Sequence, residues 1–445
     1  MTTFVSRRRI AGAGFAATDL AARTALIDRA ESALRGATGA PPQWAWFVPG
    51  RIEVLGKHTD YAGGASLVAA VPRGFAVAAT PRDDGTIAVT DARWATQAVI
   101  EPGTTGDVRG WARYVAVVAR RFADNFPGAS LGVDVAIASD LPRAAGLSSS
   151  SALIVAMALV LARRGRLDTR PEWREAIRTP LDLAAYLGAV EAGRGFRGLR
   201  AAGGVGTRGG SEDHTAILAS APERLRAFTC LPMQALGEAA MPTSWTFVVM
   251  TSGVHADKAG RVRGQYNRAA DAVAALVELC QQAAGSHRES LAAILAGERD
   301  GRRLRELVVR STHPAFTREE LEARLAHFIA EHARVGEALE AFRTADRDRL
   351  GELTAASQAD AERLLGNQVP ATMALTRAAR QAGAFAATSF GAGFGGSVWA
   401  LVEGHDVESF AREWECAYRA SMLVQGPLEW FAARPAPPAF EVEDI

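Results

Sequence analysis

Cysteine is scarce: three residues in 445, Cys230, Cys280 and Cys416. Their number is odd and their spacings match neither metal ligands nor a redox pair, which excludes a disulfide scaffold, a structural zinc site and a dithiol enzyme, and suits a reducing compartment. Long apolar runs are lacking too, the longest covering residues 152–162. That is too short to cross a bilayer and reads as a buried helix. Charge of one sign is absent, since 50 Lys and Arg against 49 Asp and Glu leave a formal net charge of +1. Neither a nucleic-acid nor a membrane footprint is expected from that balance. The common nucleotide loop G-x-x-x-x-G-K-[ST] occurs nowhere, so any phosphate chemistry must use another cradle. Ser6 to Arg9 and the apolar residues 10–17 have the superficial look of a twin-arginine export signal, but the apolar part is short and ends at Asp19. We read it as a disordered basic tail and expect a cytoplasmic protein.

What is present begins with a chain long enough, at 445 residues and 48% hydrophobic, for two domains with separate cores. Its focus is the stretch Asp140 to Ala152, Asp-Leu-Pro-Arg-Ala-Ala-Gly-Leu-Ser-Ser-Ser-Ser-Ala. An alternating apolar strand, 133–138, precedes it, and a helix former without Gly or Pro, 152–164, follows. A loop of small residues therefore opens a helix. Backbone N–H groups there lack intrahelical partners and the helix dipole is positive, so phosphate oxygens bind. Gly146, Leu147 and Ser148 to Ser151 form this candidate cradle; alone, the serine run is equally an ordinary N-cap.

Two further stretches accompany it. One is Pro49-Gly50-Arg51-Ile52-Glu53-Val54-Leu55-Gly56-Lys57-His58-Thr59-Asp60-Tyr61 with Gly63-Gly64, and the other is Ser389-Phe390-Gly391-Ala392-Gly393-Phe394-Gly395-Gly396-Ser397-Val398. Together the three resemble, in order, the motifs of the GHMP small-molecule kinases, and the first resembles the galactokinase pattern G-R-x-N-x-x-G-E-H-x-D-Y. The resemblance spans residues 49 to 398. It implies a two-domain α+β fold, an N-terminal α/β domain over 1–240 and a C-terminal domain over 241–445 with a ferredoxin-like core, and a site between them.

In chain order, Leu20, Ile27, Ala30 and Leu34 mark a first helix. Alternation through Ile52 and Val54, 67–71 and 75–79 predicts a hairpin around the 57–64 loop, 87–100 continues as strand, and Trp111 opens a helix. Trp111 either flanks adenine, as the resemblance implies, or lies in a core. A helix over 181–191 ends at Glu191. The segment from Gly193 to Gly210 holds eight glycines and four arginines, Arg194, Arg197, Arg200 and Arg208. It is about ten residues longer than the resemblance predicts and reads as a mobile surface loop, or else as a flap carrying an arginine to an anion. A strand over 246–251 and a helix over 261–282 follow, the latter with Tyr266, which by resemblance borders the sugar. Residues 318–365 read as solvated helix with no chemistry, and the Pro/Ala-rich tail after Pro435 as extended surface chain.

Phosphoryl transfer needs an anion cradle, a divalent metal and a group that orients and deprotonates the acceptor. By resemblance, ATP phosphates fall to the serine loop with Gly393 and Gly395, Mg2+ to Ser150 and Glu191, and the base to Asp213 in Gly210-Ser211-Glu212-Asp213-His214, with Arg51 beside it. Glu212 is the neighbouring alternative. Lys57, His58, Asp60, Tyr61, Gly63, Gly64 and Tyr266 make the expected sugar site. The implied activity is that of an ATP-dependent sugar 1-kinase, on galactose or a galactose-like sugar, in a monomer or weak homodimer. A mevalonate-type kinase is disfavoured by His58 to Tyr61, and a non-catalytic sugar sensor by the intact serine loop, Arg51 and Asp213. One departure stands out: Lys57 replaces the acid that in galactokinases accepts a hydrogen bond from the C6 hydroxyl. An ammonium cannot accept one. With His214 and the nearby arginines, Lys57 predicts a positive pocket for a carboxylate such as that of galacturonate or glucuronate, or tolerance of a sugar lacking C6, unless it points to solvent or pairs with Glu53 or Glu212 and the substrate is still galactose.

Overall fold

A computed structural model describes residues 10, 13–103, 108–256, 260–284, 290–298, 300–404, 406–424 and 426–442. The basic stretch Ser6 to Arg9 lies outside them. In chain order the elements are α1 (Ala17–Thr38), β1 (Trp44–Leu55), β2 (Ala65–Pro81), β3 (Ile87–Asp91), β4 (Thr96–Ile100), α2 (Ala112–Asn125), β5 (Val133–Ser139), α3 (Ser149–Gly165), α4 (Pro171–Ala176), α5 (Pro180–Ala192), α6 (Glu212–Ala219), β6 (Arg224–Thr229), β7 (Gln234–Ala240) and β8 (Trp245–Thr251). Then come α7 (Gly260–Ala284), α8 (Leu291–Leu295), α9 (Arg302–Arg310), α10 (Arg318–Thr344), α11 (Arg347–Asp360), α12 (Pro370–Gln381), β9 (Ala386–Ser389), β10 (Ser397–Glu403), α13 (Val407–Ser421), β11 (Trp430–Ala433) and β12 (Phe440–Glu441).

Two sheets result. The first runs β12-β1-β2-β5-β3-β4, with β6 on β2 and β7 on β6. Side chains alternate across a strand, and this sheet is covered on both faces. Phe47, Ala76, Ala78, Ala136 and Ala138 pack under α1 at Leu26, Ile27, Ala30 and Leu34. Trp46, Val48, Val77, Val135 and Ile137 share the opposite core with α2 and α3. The second sheet runs β11-β8-β10-β9 with every pair antiparallel. With α12 before β9 and α13 before β11 it has the ferredoxin-like order, and Leu375, Phe410, Trp414 and Tyr418 cover one face. Position 240/241 falls between β7 and β8, but the first sheet takes β12 from beyond it, and Trp46, Val48 and Val77 share one core with Phe247, Val249 and Trp399 of the second sheet.

The tail corrects one expectation. It is extended, yet it is not surface chain: Phe440 pairs with Phe47, Ala436 bridges to Ala70, and Ala436 and Val442 are buried. The cause is the open edge of β1, which β12 covers. Among the described residues no helix is long and apolar enough to cross a membrane.

Candidate active site

Strand β1 aims the site. Arg51 and Glu53 are two residues apart, so both leave the same strand face, and the β1–β2 register slips between Pro49 and Arg51 and again between Glu53 and Leu55. Such irregularities re-aim side chains next to active sites. Both residues line a cleft with His58, Asp60, Ser151, Glu191, Thr207, Gly209, Gly210, Glu212, Asp213, His214, Tyr266, Gly391 and Ala392.

Arg51 ties the three motifs together. Its Nε donates to Asp213 Oδ1 at 2.7 Å, its Nη2 stands 2.6 Å from the same oxygen, and its Nη1 donates to the Gly146 carbonyl at 2.5 Å. Burial alone would lower the affinity of this guanidinium for its proton, but Asp213, Glu212 and Glu53 more than offset that, so it stays charged. Gly391 closes the arrangement. With φ +76, its missing Cβ would lie 2.9 Å from the Gly146 carbonyl oxygen, so the third motif touches the serine loop only because no side chain intervenes.

The serine loop enters α3 through Ser148, which has φ +57 and no side-chain cap bond. Its Oγ is buried without a hydrogen-bond partner among the described residues. A buried hydroxyl orphaned beside free N–H groups of a 17-residue helix fits a bound polyphosphate. Ser151 faces the cleft, its hydroxyl 3.2 Å from Asp213 Oδ2 and 3.3 Å from Glu191 Oε2, so its one proton can serve either carboxylate. Ser150, expected with Glu191 at the metal, is half-buried, while the buried position beside Glu191 is 151, since each residue advances the helix face by about 100°. Glu191 also accepts from Thr207 at 3.4 Å and stands 3.3 Å from His214 Nε2. Hard oxygen donors from Glu191 and Ser151 beside a phosphate loop suit Mg2+, which is held by one or two carboxylates plus phosphates rather than by a protein cage.

Asp213 and Glu212 are distinguishable by their surroundings. Glu212 is turned into the interior, where Ser66 Oγ donates to it at 2.5 Å, and burial with the neighbouring Glu53 and Asp60 holds its carboxyl well above the usual range. Both line the cleft, but Asp213 is the more exposed of the two and holds Arg51 at 2.6 Å, where Glu212 stands 3.9 Å away.

At the sugar end, Asp60 accepts from the Tyr61 N–H at 2.8 Å, and Gly210 lies so close that any Cβ there would collide with its carboxylate. Burial, then Asp213, raises the Asp60 carboxyl. His58 adopts φ +57, a conformation costing about 1–3 kcal/mol that clusters at functional sites. Tyr61 Oη lies 2.8 Å from its Nδ1 and the Ala392 carbonyl 3.1 Å from its Nε2. Tyr266 stands with its ring centroid 5.0 Å away.

The remaining expected sugar contacts lie elsewhere. Tyr61 positions His58 and is not among the lining residues. Gly63 packs on Ser290 and Gly64 on Thr59 and Phe328. Lys57 is 1% exposed and donates from Nζ to Ser357 at 2.9 Å on α11. Glu331 of α10 takes the Gly56 and Lys57 N–H groups at 3.0 and 3.2 Å and the Ser357 hydroxyl at 2.9 Å. Burial alone would raise the Glu331 carboxyl, but Lys57 and these bonds hold it below the usual range. Lys57 therefore belongs to an internal network under the sugar loop, and the expected positive pocket is corrected. The cleft is lined by five carboxylates, those of Glu53, Asp60, Glu191, Glu212 and Asp213, against the guanidinium of Arg51, a field that disfavours a uronate.

Trp111 packs partly buried against the first core. Gly393 and Gly395 have positive φ and lie against Asn367 and Val254, so they shape the third motif without lining the cleft. The Gly/Arg-rich segment, expected to be a mobile loop, is docked. Asn267 on α7 accepts from Arg208 N at 2.9 Å and donates to the Gly206 carbonyl at 2.9 Å, Arg208 pairs with Asp271, and Thr207, Gly209 and Gly210 form a wall of the cleft. None of the four arginines lines it.

Comparison with known proteins agrees with this geometry. Residues 34–81 match the galactokinase galactose-binding signature, 113–193 the GHMP kinase N-terminal domain and 338–420 the GHMP kinase C-terminal domain. The galactokinase of Actinobacillus pleuropneumoniae is 27% identical over 383 residues, covering 82% of this chain and 87% of that relative. The crystal structure of Lactococcus lactis galactokinase complexed with galactose superposes with a TM-score of 0.75 at 21% identity, covering 94% of this chain and 99% of that one. Methanococcus jannaschii mevalonate kinase gives 0.53 at 13%, covering 88% and 98%. The chain belongs to the GHMP kinases, in their galactokinase-like branch.

Proposed function

We propose that this ATP-dependent sugar kinase transfers the γ-phosphoryl group of ATP to the anomeric hydroxyl of galactose. The observation that carries the reading is the chain of contacts in which Arg51 binds both Asp213 and the Gly146 carbonyl while Ser151 joins Asp213 to Glu191, with His58, Asp60 and Tyr266 in the same cleft. Acceptor recognition and phosphate cradle thus meet at one carboxylate.

Asp60 and His58 orient the sugar hydroxyls, a carboxylate being able to accept from two of them. Asp213 takes the proton of the attacking hydroxyl. Arg51 keeps Asp213 ionised and faces the charge that develops on the transferring group. Glu191 and Ser151 would hold Mg2+, which neutralises polyphosphate charge. ATP as co-substrate fits a cytoplasmic location.

ADP release in the presence of a sugar panel tests the reading. Galactose should give the highest kcat/KM, well above galacturonate. Release no faster with galactose than without sugar would overturn it.

A further inference from the structure

Glu53 has a role that the account above leaves open. It stands on β1 beside Arg51, is 3% exposed and lines the cleft. Both ends of the residue are fixed from the second domain: the Trp399 indole donates to its carbonyl at 3.0 Å, and the Gly391 N–H donates to its Oε2 at 3.2 Å. The other carboxylate oxygen, Oε1, is buried and has no hydrogen-bond donor among the described residues. Leaving such an acceptor unmatched is unfavourable, and in native structures it calls for an explanation. The nearby cations do not supply one. Arg51 is committed to Asp213 and Gly146, and Lys57 donates to Ser357. Lys57 and Lys258 are the two lysines of the chain, and Lys57, at a buried position, opposes without overcoming the effect of burial that raises the Glu53 carboxyl.

We propose that Glu53 is a specificity-determining residue whose Oε1 accepts a hydrogen bond from one hydroxyl of the sugar. The inference rests on the galactokinase reading and deepens it. A hydroxyl is the fitting donor class, because it brings a proton to Oε1 without adding charge to a cleft already rich in carboxylates. Gly391 and Trp399 hold the acceptor in place before substrate arrives, which limits the entropy lost on binding.

The test crosses Glu53→Ala and Glu53→Gln with galactose and its monodeoxy analogues in steady-state kinetics. In Glu53→Ala, kcat/KM for galactose should fall about ten- to a hundredfold, with the KM for ATP within about twofold of wild type. One monodeoxy sugar should be a correspondingly poor substrate of the wild type yet lose nothing further in Glu53→Ala, the non-additivity expected of two groups in contact. Glu53→Gln, which keeps an acceptor for Gly391 and a polar group for the hydroxyl, should recover most of the loss. Equal losses for every monodeoxy sugar on going to Glu53→Ala would overturn the proposal while leaving the galactokinase reading intact. A wild type inert toward galactose and all its analogues would overturn both.

Discussion

Arg51 grips one oxygen of Asp213 with two nitrogens, Nε at 2.7 Å and Nη2 at 2.6 Å, while Ser151 donates to the other oxygen at 3.2 Å. The carboxylate is thus oriented with one oxygen committed to charge pairing and the other toward the helix that carries the serine loop. Asp213→Asn keeps the shape and removes the proton acceptor. Turnover should fall on the order of 10² to 10⁴-fold, with ATP affinity nearly unchanged because the cradle is separate. Wild-type kcat in the variant would dismiss Asp213 as the base.

The position of Ser151 makes a metal prediction. Its hydroxyl also lies 3.3 Å from Glu191 Oε2, and Thr207 contacts the other oxygen of that carboxylate. Ser151→Ala should raise the Mg2+ concentration for half-maximal rate about ten- to a hundredfold, and Ser150→Ala should raise it less. Titration of Mg2+ at saturating ATP and sugar decides between them, and the reverse order would restore Ser150 as the partner of Glu191.

Local patterns revealed much of this molecule. The β1–β2 hairpin, α1 and α3 follow from periodicity, and Arg51, His58, Asp60 and Asp213 stand in motifs that the fold brings into one cleft. What stayed hidden depends on distance along the chain or on rotation about a helix. Four adjacent serines do not say which one faces inward. Glu331 and Ser357 sit on helices that read as solvated, and nothing local signals that they lie beneath a loop about 300 residues earlier, Lys57 to Ser357 being 300 positions apart. The 193–210 segment looked mobile because glycines carry no side chains to announce a docking face; its anchors, Asn267 and Asp271, are on α7.

Those anchors are testable. Asn267→Ala removes two hydrogen bonds that hold the backbone at residues 206 and 208, while Asn267 itself is only half-buried on α7. Each bond contributes about 0.5–1.5 kcal/mol. Hydrogen exchange over residues 204–210 should speed up and KM for the sugar rise about three- to tenfold, with global stability little changed. Unaltered exchange in that segment would show that the wall is held by other contacts.

Burial pushes the Glu53 carboxyl up to about 7 against the opposing effects of Lys57 and Arg51. Below about 4.5 the group is protonated folded and unfolded alike; between about 4.5 and about 7 the folded chain keeps a proton that the unfolded chain has released. Stability of the protein without substrates should therefore fall as pH rises through that window, by at most about 3 kcal/mol from this group. Urea unfolding at pH 5 and pH 7.5 reads it, and Glu53→Gln should show the shallower dependence. Identical slopes for the two proteins would remove Glu53 as the source.

Lys57 supplies the last prediction, because two accounts of it differ in what a substitution changes. If its ammonium met the substrate, replacing it would alter sugar choice and leave the fold intact. The structure instead buries it against Ser357, close to a Glu331 whose other oxygen accepts from Arg334 at 3.0 Å. Lys57→Met takes a cation from between two buried carboxylates, Glu331 and Glu53, and breaking a buried charge arrangement in this way costs about 3–5 kcal/mol. Lys57→Glu adds a third anion and should not accumulate as folded protein. The urea midpoint of Lys57→Met should drop at unchanged m-value, while the ratio of kcat/KM for galactose to that for galacturonate, taken on the folded fraction, stays within about threefold of wild type. A Lys57→Met protein within about 0.5 kcal/mol of wild-type stability, with its sugar preference moved further toward galactose, would place the ammonium back in the sugar site.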